Sequence, residues 1–447
     1  VVGAYADGGS DSGSAYAFDL ATCGTTCSEA SKLTASDAAA DDFFGYSVAV
    51  SGDRAVVGAI GDGGTNSGSA YVFDLAACGT TCSEASKLTA SDAAAGDTFG
   101  WSVAVSGDRA VVGAYLDDDG GLLSGSAYAF DLGDTSPCSG TAPVVCTEAS
   151  KLTASDAAAS DRFGNSVAVS GDRAVVGAFF DNDGGSHSGS AYAFDLAECG
   201  ATCPGQTEQQ KLVQAPGSSA AAGDEFGISV AVSGDRAVVG AHRNGNGGSA
   251  SGSAYALAYS DGAWRLTSTL TASDAEADDR FGNSVAVSGD RAVVGAHQDD
   301  DGANTSGSAY AFDLAACGAA CTEASKLTAS DDAAGDRFGR SVAVSGDRAV
   351  VGAYLDGDGG SNSGSAYAFD LAACGAACTE EHKLTASDAA ITDWFGYSVA
   401  ISGDRVLVGG DADGGTASGS AYAFDLAACG TACTEEHKLT ASDAAAD

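Results

Sequence analysis

One sentence, written seven times, limits what this chain can fold into: Asp-x-Phe-Gly-x-Ser-Val-Ala-Val-Ser-Gly-Asp-Arg-Ala-Val-Val-Gly-Ala, with small variations. The Phe-Gly pairs begin at Phe44, Phe99, Phe163, Phe226, Phe281, Phe338 and Phe395, at spacings of 55 to 64 residues. Each copy runs through an acidic, glycine-rich stretch to Ser-Gly-Ser-Ala-Tyr-Ala-Phe-Asp-Leu, then to Lys-Leu-Thr-Ala-Ser-Asp. A period of this length with four short strand-like segments is the signature of propeller blades. The predicted fold is all-β, a β-propeller of four-stranded antiparallel blades.

In one copy the strands read Ser47-Val48-Ala49-Val50-Ser51, Ala55-Val56-Val57-Gly58-Ala59, Ser69-Ala70-Tyr71-Val72-Phe73 and Lys87-Leu88-Thr89-Ala90. Large and small residues alternate, the period of a strand with two unlike faces. A tight Ser-Gly-Asp-Arg hairpin joins the first two. Such a sheet must stack on its neighbours, so the seven Phe of Phe-Gly are assigned to the seams between blades. The Arg ending each hairpin (Arg54, Arg109, Arg173, Arg236, Arg291, Arg348, Arg405) is expected to pair with an Asp across the hairpin or seam.

The later strands occur eight times. Residues 1–40 hold Val1-Val2-Gly3-Ala4, Ser14-Ala15-Tyr16-Ala17-Phe18 and Lys32-Leu33-Thr34-Ala35, but no Phe-Gly strand. This predicts one repeat domain over 1–447, eight-bladed, whose first blade lacks its first strand; an open superhelical array is the alternative. The missing strand would come from a longer chain or a second chain, or the blade is three-stranded, and self-association through the incomplete blade follows from the second case.

Charge is extreme, with 61 acidic against 20 basic residues and a net of -41. That field repels nucleic acid and anionic lipid. No apolar run approaches the roughly 18 to 20 residues of a membrane span, so direct membrane insertion is not expected. The acidity suits either solubility in brine or cation binding.

Fourteen cysteines fall into pairs: Cys23 with Cys27, Cys78 with Cys82, Cys138 with Cys146, Cys199 with Cys203, Cys317 with Cys321, Cys374 with Cys378, and Cys429 with Cys433. An even count, one pair per loop, points to structural disulfides in an oxidising compartment. Zinc and free thiols are the competing readings. The fifth repeat has no pair, and Trp264 reads as its hydrophobic substitute.

The loop between second and third strands is rich in Asp and Gly. Its candidate metal ligands are Asp117, Asp119, Asp181, Asp183, Asp299, Asp301, Asp356, Asp358, Asp411 and Asp413. The aspartates before Phe-Gly (Asp97, Asp161, Asp279, Asp336, Asp393) share that face and are a second source of carboxylates. Calcium suits such donors; a row of solvated Asp-Gly turns is the plainer reading. Asn244 and Asn246 replace the acids in the fifth repeat, where a site should be weak or empty. No organic cofactor is expected.

Phe99-Gly100 followed by Val112-Gly113-Ala114, and Phe281-Gly282 followed by Val294-Gly295-Ala296, resemble the FG-GAP repeat family of integrin alpha subunits and secreted microbial proteins. The resemblance implies an extracellular propeller used in adhesion, ligand binding or surface structure. The family's calcium loop between the first two strands does not carry over, because Ser106-Gly107-Asp108-Arg109 offers too few oxygens.

Enzymatic activity is not expected. The histidines (His187, His242, His297, His382, His437) form no metal-ligand spacing, and the acids repeat rather than forming one asymmetric set. The leading reading is an extracellular or cell-surface adhesion or ligand-binding scaffold, its partner a protein or cell-surface component. A structural subunit of a surface layer or filament is the alternative. Tyr115, Phe179, Phe180 and Tyr354 are the aromatic candidates in the loops.

Overall fold

In the computed structural model each repeat forms its own twisted sheet. The structure describes residues 1–7, 11–23, 26–133, 138–139, 144–198, 206–212, 221–300, 303–412, 419–430 and 432–443. The chain divides into two compact units, Val1–Asp19 with Glu29–Ala222, and Leu20–Ser28 with Gly223–Asp447. Each unit carries four sheets, so the described residues form eight blades.

The third blade shows the plan. Ser102–Ser106, Arg109–Ala114, Ser126–Asp131 and Ser150–Thr153 pair antiparallel in sequence order. The hairpin turns at Gly107, whose φ of 57° is left-handed, a conformation glycine adopts without a Cβ penalty. The first blade consists of Val2–Ala4, Ser14–Ala17 and Ser31–Thr34 plus one borrowed strand, and lacks the Phe-Gly strand as expected.

The borrowed strand corrects the expectation of uniform four-stranded antiparallel blades. In most blades the fourth strand pairs on its outer side with a short parallel strand from the next repeat's cysteine segment. Thr81–Ser83 runs beside Ser31–Thr34, Val144–Thr147 beside Ser86–Thr89, and Ala377–Thr379 beside Ser325–Thr328. The second cysteine of each segment lies opposite the fourth-strand leucine: Cys82 opposite Leu33, Cys146 opposite Leu88, Cys378 opposite Leu327. A glutamate two residues later clamps the join. Glu84 accepts from the Ser36 backbone at 3.1 Å and from its hydroxyl at 2.6 Å, and Glu148 does the same to Ser91. The sheet beginning with Phe163–Ser170 has four strands, and the repeat after it is the fifth, which has no cysteine pair to lend. In the second unit Thr26–Ser28 lies beside His437–Thr440, with Cys27 opposite Leu439. An early segment of the chain thus clasps the last blade.

The core lies in the seams. All seven Phe of Phe-Gly are at most 1% exposed. Phe99 packs with Val112, Tyr128 and Phe130 of its own blade and Val56, Val72 and Leu88 of the preceding one. Val111, adjacent to Val112, faces the other way, into the seam holding Phe163. Period-two alternation thus buries both faces of a blade. Two glycines set the seam's closeness. A Cβ on Gly58 would lie 2.2 Å from the Gly100 carbonyl oxygen, and one on Gly68 would lie 2.0 Å from that of Phe99. Hairpin arginines bridge the blades as expected: Arg109 meets Asp131 and Asp172, both at 2.8 Å, and Arg291 meets Asp313 and Asp347.

Candidate functional site

The acidic loops fold through their own aspartates. Asp117 is buried, and its Oδ1 accepts from the Asp119 backbone at 2.9 Å. Its Oδ2 takes the hydroxyl of Tyr128 at 2.7 Å, which also donates to Asp92 Oδ1 at 3.0 Å. Lys151, directly opposite Tyr128 on the fourth strand, points into the same place. Its Nζ lies 2.6 Å from Asp92, 3.3 Å from Asp117 and 2.5 Å from Asp119, and 5.2 Å from the Tyr128 ring centroid. The same set recurs as Asp156, Asp181, Asp183, Tyr192 and Lys211, and as Asp331, Asp356, Asp358, Tyr367 and Lys383.

These triads can coordinate a metal ion. Within each, one oxygen from every carboxylate lies within 4.8 Å of the others, and hard oxygens suit calcium. The positive charge already among them is the lysine ammonium. Burial alone would lower the pKa of Lys151; hydrogen bonds to Asp119 and Asp92 and the charge of Asp117 reverse that and push it up. Burial is the largest single influence on Asp92 and raises it, but the hydrogen bond and charge of Lys151 and the hydrogen bond from Tyr128 together bring it below the usual carboxylate value.

The fifth repeat explains whom the acids serve. Thr269 takes the position of Lys151 opposite Tyr255. In the same repeat Asn244 and Asn246 replace the loop acids, and Pro216 stands where Lys-Leu-Thr-Ala-Ser-Asp has its aspartate. Lysine and acids vanish together. The acids are matched to an internal cation.

Other expected ligands divide. Asp299 is buried, with Tyr310 at 2.5 Å and Lys326 at 3.4 Å. Asp411 is exposed. Asp301 and Asp413 lie outside the described residues. The second carboxylate source is Asp92, Asp156 and Asp331, from the Lys-Leu-Thr-Ala-Ser-Asp motif, rather than the aspartates before Phe-Gly. Each of the latter folds its own turn: Asp97 accepts from the Ala94 backbone at 2.6 Å and Asp161 from Ala158 at 2.7 Å. Burial pushes Asp97 up to about 6 against that hydrogen bond, with the charges of Asp117 and Asp119 adding to the rise. Asp161 and Asp336 behave alike.

Five cysteine pairs are joined as expected, Cys23–Cys27, Cys78–Cys82, Cys317–Cys321, Cys374–Cys378 and Cys429–Cys433, with Cα separations of 5.0 to 5.2 Å. Cys146 is disulfide-bonded and its backbone faces Cys138 across a hairpin. Cys199 and Cys203 lie outside the described residues. Trp264 is 2% exposed, on a hairpin of Ser253–Ser260 with Ala263–Thr271.

The repeats differ most around Phe-Gly. The residue before each Phe has left-handed φ, from 54° at Phe43 and Trp394 to 63° at Arg280. It sits with the residue after Gly and the one after the second strand at a single end of the blade, the rim. In the first unit the rim is aromatic: Tyr46 lies 5.0 Å from Trp101, Trp101 4.2 Å from Tyr115, and Arg162 lies over Tyr115 and Phe180. Phe179 and Phe180 contact each other at 4.1 Å. In the second unit Tyr354 meets Trp394 and Tyr397 edge-on. Each expected aromatic candidate lies at this end of its blade, against another aromatic ring of the same unit.

Among known proteins, the FG-GAP repeat profile matches residues 27–73, 82–130, 146–194, 207–257, 264–312, 321–369 and 378–424. No curated protein matches the sequence significantly. Solved structures with similarity include apo AztD from Citrobacter koseri, at 10% identity and a TM-score of 0.45, covering 87% of this chain and 83% of that one. The β-propeller domain of the Trilobed protease from Pyrococcus furiosus, described as having an open velcro topology, also gives 10% identity and 0.45, covering 85% of this chain and 94% of that one. Likeness at this level says nothing about ligand or activity. No helix among the described residues is long and apolar enough to cross a membrane.

Proposed function

The chain belongs to the FG-GAP repeat family, and on that premise we propose that it is an extracellular adhesion or ligand-binding scaffold without catalytic activity, contacting its partner through the rim. One observation carries this reading. Residues that build seams and hairpins are nearly invariant between repeats, whereas the rim positions hold Phe43, Thr98, Arg162, Glu225, Arg280, Arg337 and Trp394 in otherwise equivalent places. A rigid frame that varies at loop positions is how binding surfaces are made. The disulfides support an oxidising, extracellular setting. The partner is a protein or cell-surface component.

The test is adhesion of beads coated with the oxidised protein to cell envelopes and extracellular matrix. A rim variant of the first unit (Tyr46→Ala with Trp101→Ala and Tyr115→Ala) should abolish adhesion. A variant of the exposed turn at the opposite end, Asp53→Asn with Asp108→Asn, should adhere normally. Equal adhesion by all three proteins would overturn the rim as the contact surface. A second reading, a subunit of a surface layer or filament, draws on the edge strand Val2–Ala4 of the first blade. Sedimentation that shows concentration-dependent assembly, lost on substituting Gly3 with Pro, would favour it.

A further inference from the structure

Basic residues in this chain are rare and most are structural. Of 20, seven are hairpin arginines and seven are fourth-strand lysines. The other six are Arg162, Arg243, Arg265, Arg280, Arg337 and Arg340. Four of these, Arg243, Arg280, Arg337 and Arg340, come from the rim of three consecutive repeats, the fifth to seventh, all in the second unit. Two of the five histidines, His242 and His297, sit at the same rim positions.

These groups are close enough to feel one another. Burial lowers the Arg280 guanidinium's pKa first, and the like charge of Arg243 lowers it further. His297 is pushed down to about 3, by burial first and then by Arg340, Arg337, His242 and Arg280. Their counter-charges are few. Glu225 is buried and takes His242 Nε2 at 3.0 Å and Arg243 at 2.9 Å. Asp278, largely exposed, lies 3.9 Å from Arg280. Arg340 lies over the Tyr397 ring at 5.4 Å, and Arg337 meets the Gln298 amide at 2.9 Å once that amide is oriented to satisfy both its ends. No described carboxylate pairs with either. Three buried nitrogens at the cluster, His242 Nδ1, His297 Nδ1 and Arg280 Nε, have no hydrogen-bond partner. A chain with 61 acids has here gathered four arginines, of which only Arg243 and Arg280 face a described carboxylate. Repulsion of this kind is relieved by an anion.

We propose that the rim of the fifth to seventh repeats binds a compact oxyanion, a phosphate or sulfate group, through Arg243, Arg280, Arg337 and Arg340, with His242 and His297 as further donors. Guanidinium forks match tetrahedral oxyanions in geometry. The net charge of -41 selects against long polyanions, because the surrounding field repels every charge beyond the arginine cluster. Tyr397, 43% exposed beside Arg340, offers an aromatic surface to a sugar that carries the group, since aromatic faces accept apolar ring surfaces. This inference rests on the rim being the binding face and names its ligand chemistry.

The experiment is calorimetric titration of the intact, oxidised protein with inorganic phosphate, inorganic sulfate, glucose 6-phosphate and glucose 6-sulfate, in chloride buffer at constant ionic strength. Saturable binding at one site is expected, with at least a tenfold loss of affinity in Arg337→Gln/Arg340→Gln. Arg265→Gln, whose exposed arginine lies on the Trp264 hairpin, should bind normally. A tighter sugar ester assigns the ligand to a sugar; equal affinities assign it to the free ion. Imidazole NMR keeps the test independent of variant folding: in the wild type, His242 and His297 resonances should move on titration while His187, His382 and His437 stay still. No saturable heat, or equal movement of all five, would overturn the site. Adhesion through the rim in that event would leave the binding-scaffold reading standing.

Discussion

Replacing Lys151 with Thr tests whether the acidic loops are built around an internal ammonium. The substitution copies what the fifth repeat has at Thr269 but leaves the acids behind. The partners differ in burial. Asp117's side chain is 3% exposed, Lys151's is 15%, Asp92's 33% and Asp119's 59%. Breaking a buried pair by removing one partner costs about 3–5 kcal/mol, and an exposed pair is worth about 0–1 kcal/mol. One fully buried acid among three gives an expected cost of about 2–4 kcal/mol, concentrated in the third blade. Lys151→Thr with Asp117→Asn and Asp119→Asn restores the fifth-repeat residues at three of the four positions, leaving only the partly exposed Asp92, and should recover most of it. Hydrogen-exchange mass spectrometry reads the loss blade by blade. The single variant should speed exchange in Arg109–Ala114 and Ser126–Asp131, and the triple variant should slow it again. Calcium titration gives the second readout: with the ammonium gone, Asp92, Asp117 and Asp119 are free to hold calcium, so the single variant should bind it more tightly than the wild type. The reasoning fails if the triple variant is less stable than the single, or if the wild type already binds calcium as tightly.

The pH dependence follows from the aspartates before Phe-Gly. Asp97, Asp161 and Asp336 titrate near 6 when folded, above the roughly 3.9 of an unfolded chain. The folded protein therefore holds more protons between about pH 4 and 6, and stability falls as pH rises through that window. His297, pushed down to about 3, acts oppositely below its unfolded value of about 6.5, but three groups outweigh one. The melting temperature should be higher at pH 5 than at pH 7; a curve that peaks at neutral pH would contradict this. At the seam, Gly113→Ala would place a Cβ 2.1 Å from the Gly164 carbonyl oxygen and should cost about 3 kcal/mol or more, whereas Gly107→Ala meets nothing within 4 Å and pays only for its φ of 57°; equal urea midpoints for the two would be the wrong result. Phe163→Ala should lose about 3–5 kcal/mol in the same assay. Each short disulfide ring should contribute about 2 kcal/mol or less, and unreduced peptide mapping should return only pairs within a repeat.

The blade was legible because its physics is local. Alternation in Ser-Val-Ala-Val-Ser and the short turn at Gly107-Asp108 specify a hairpin without reference to the rest of the chain. The seam was legible too, since Phe99 and its equivalents recur beside valine strands and have nowhere else to go. The parallel strand was not. Thr81–Ser83 is three residues of TCS, with no apolar period, and its pairing to Ser31–Thr34 crosses a repeat boundary. The clue was Glu84, repeated in register after the cysteines and serving Ser36 of the preceding repeat. The triads were half legible. Asp117 and Asp119 announced themselves by composition, but Asp92 arrives from a constant motif, where repetition reads as structure rather than as a site.

Constancy and variation then divide the chemistry of the repeat. Lys151 with its acids is repeated nearly everywhere, and where it is dropped the acids go with it, which is the pattern of a part that must balance its own charge. The rim obeys no such balance. Arg280, Arg337 and Arg340 have no repeat-wide acid assigned to them, and Glu225 occurs once. A seam residue is judged by its neighbours in the fold, so it can change only with them. A rim residue whose charge is left unanswered within the fold is answered from outside it, and that separation is what makes the end of the blade carrying Arg337 and Arg340 the place to look for a ligand.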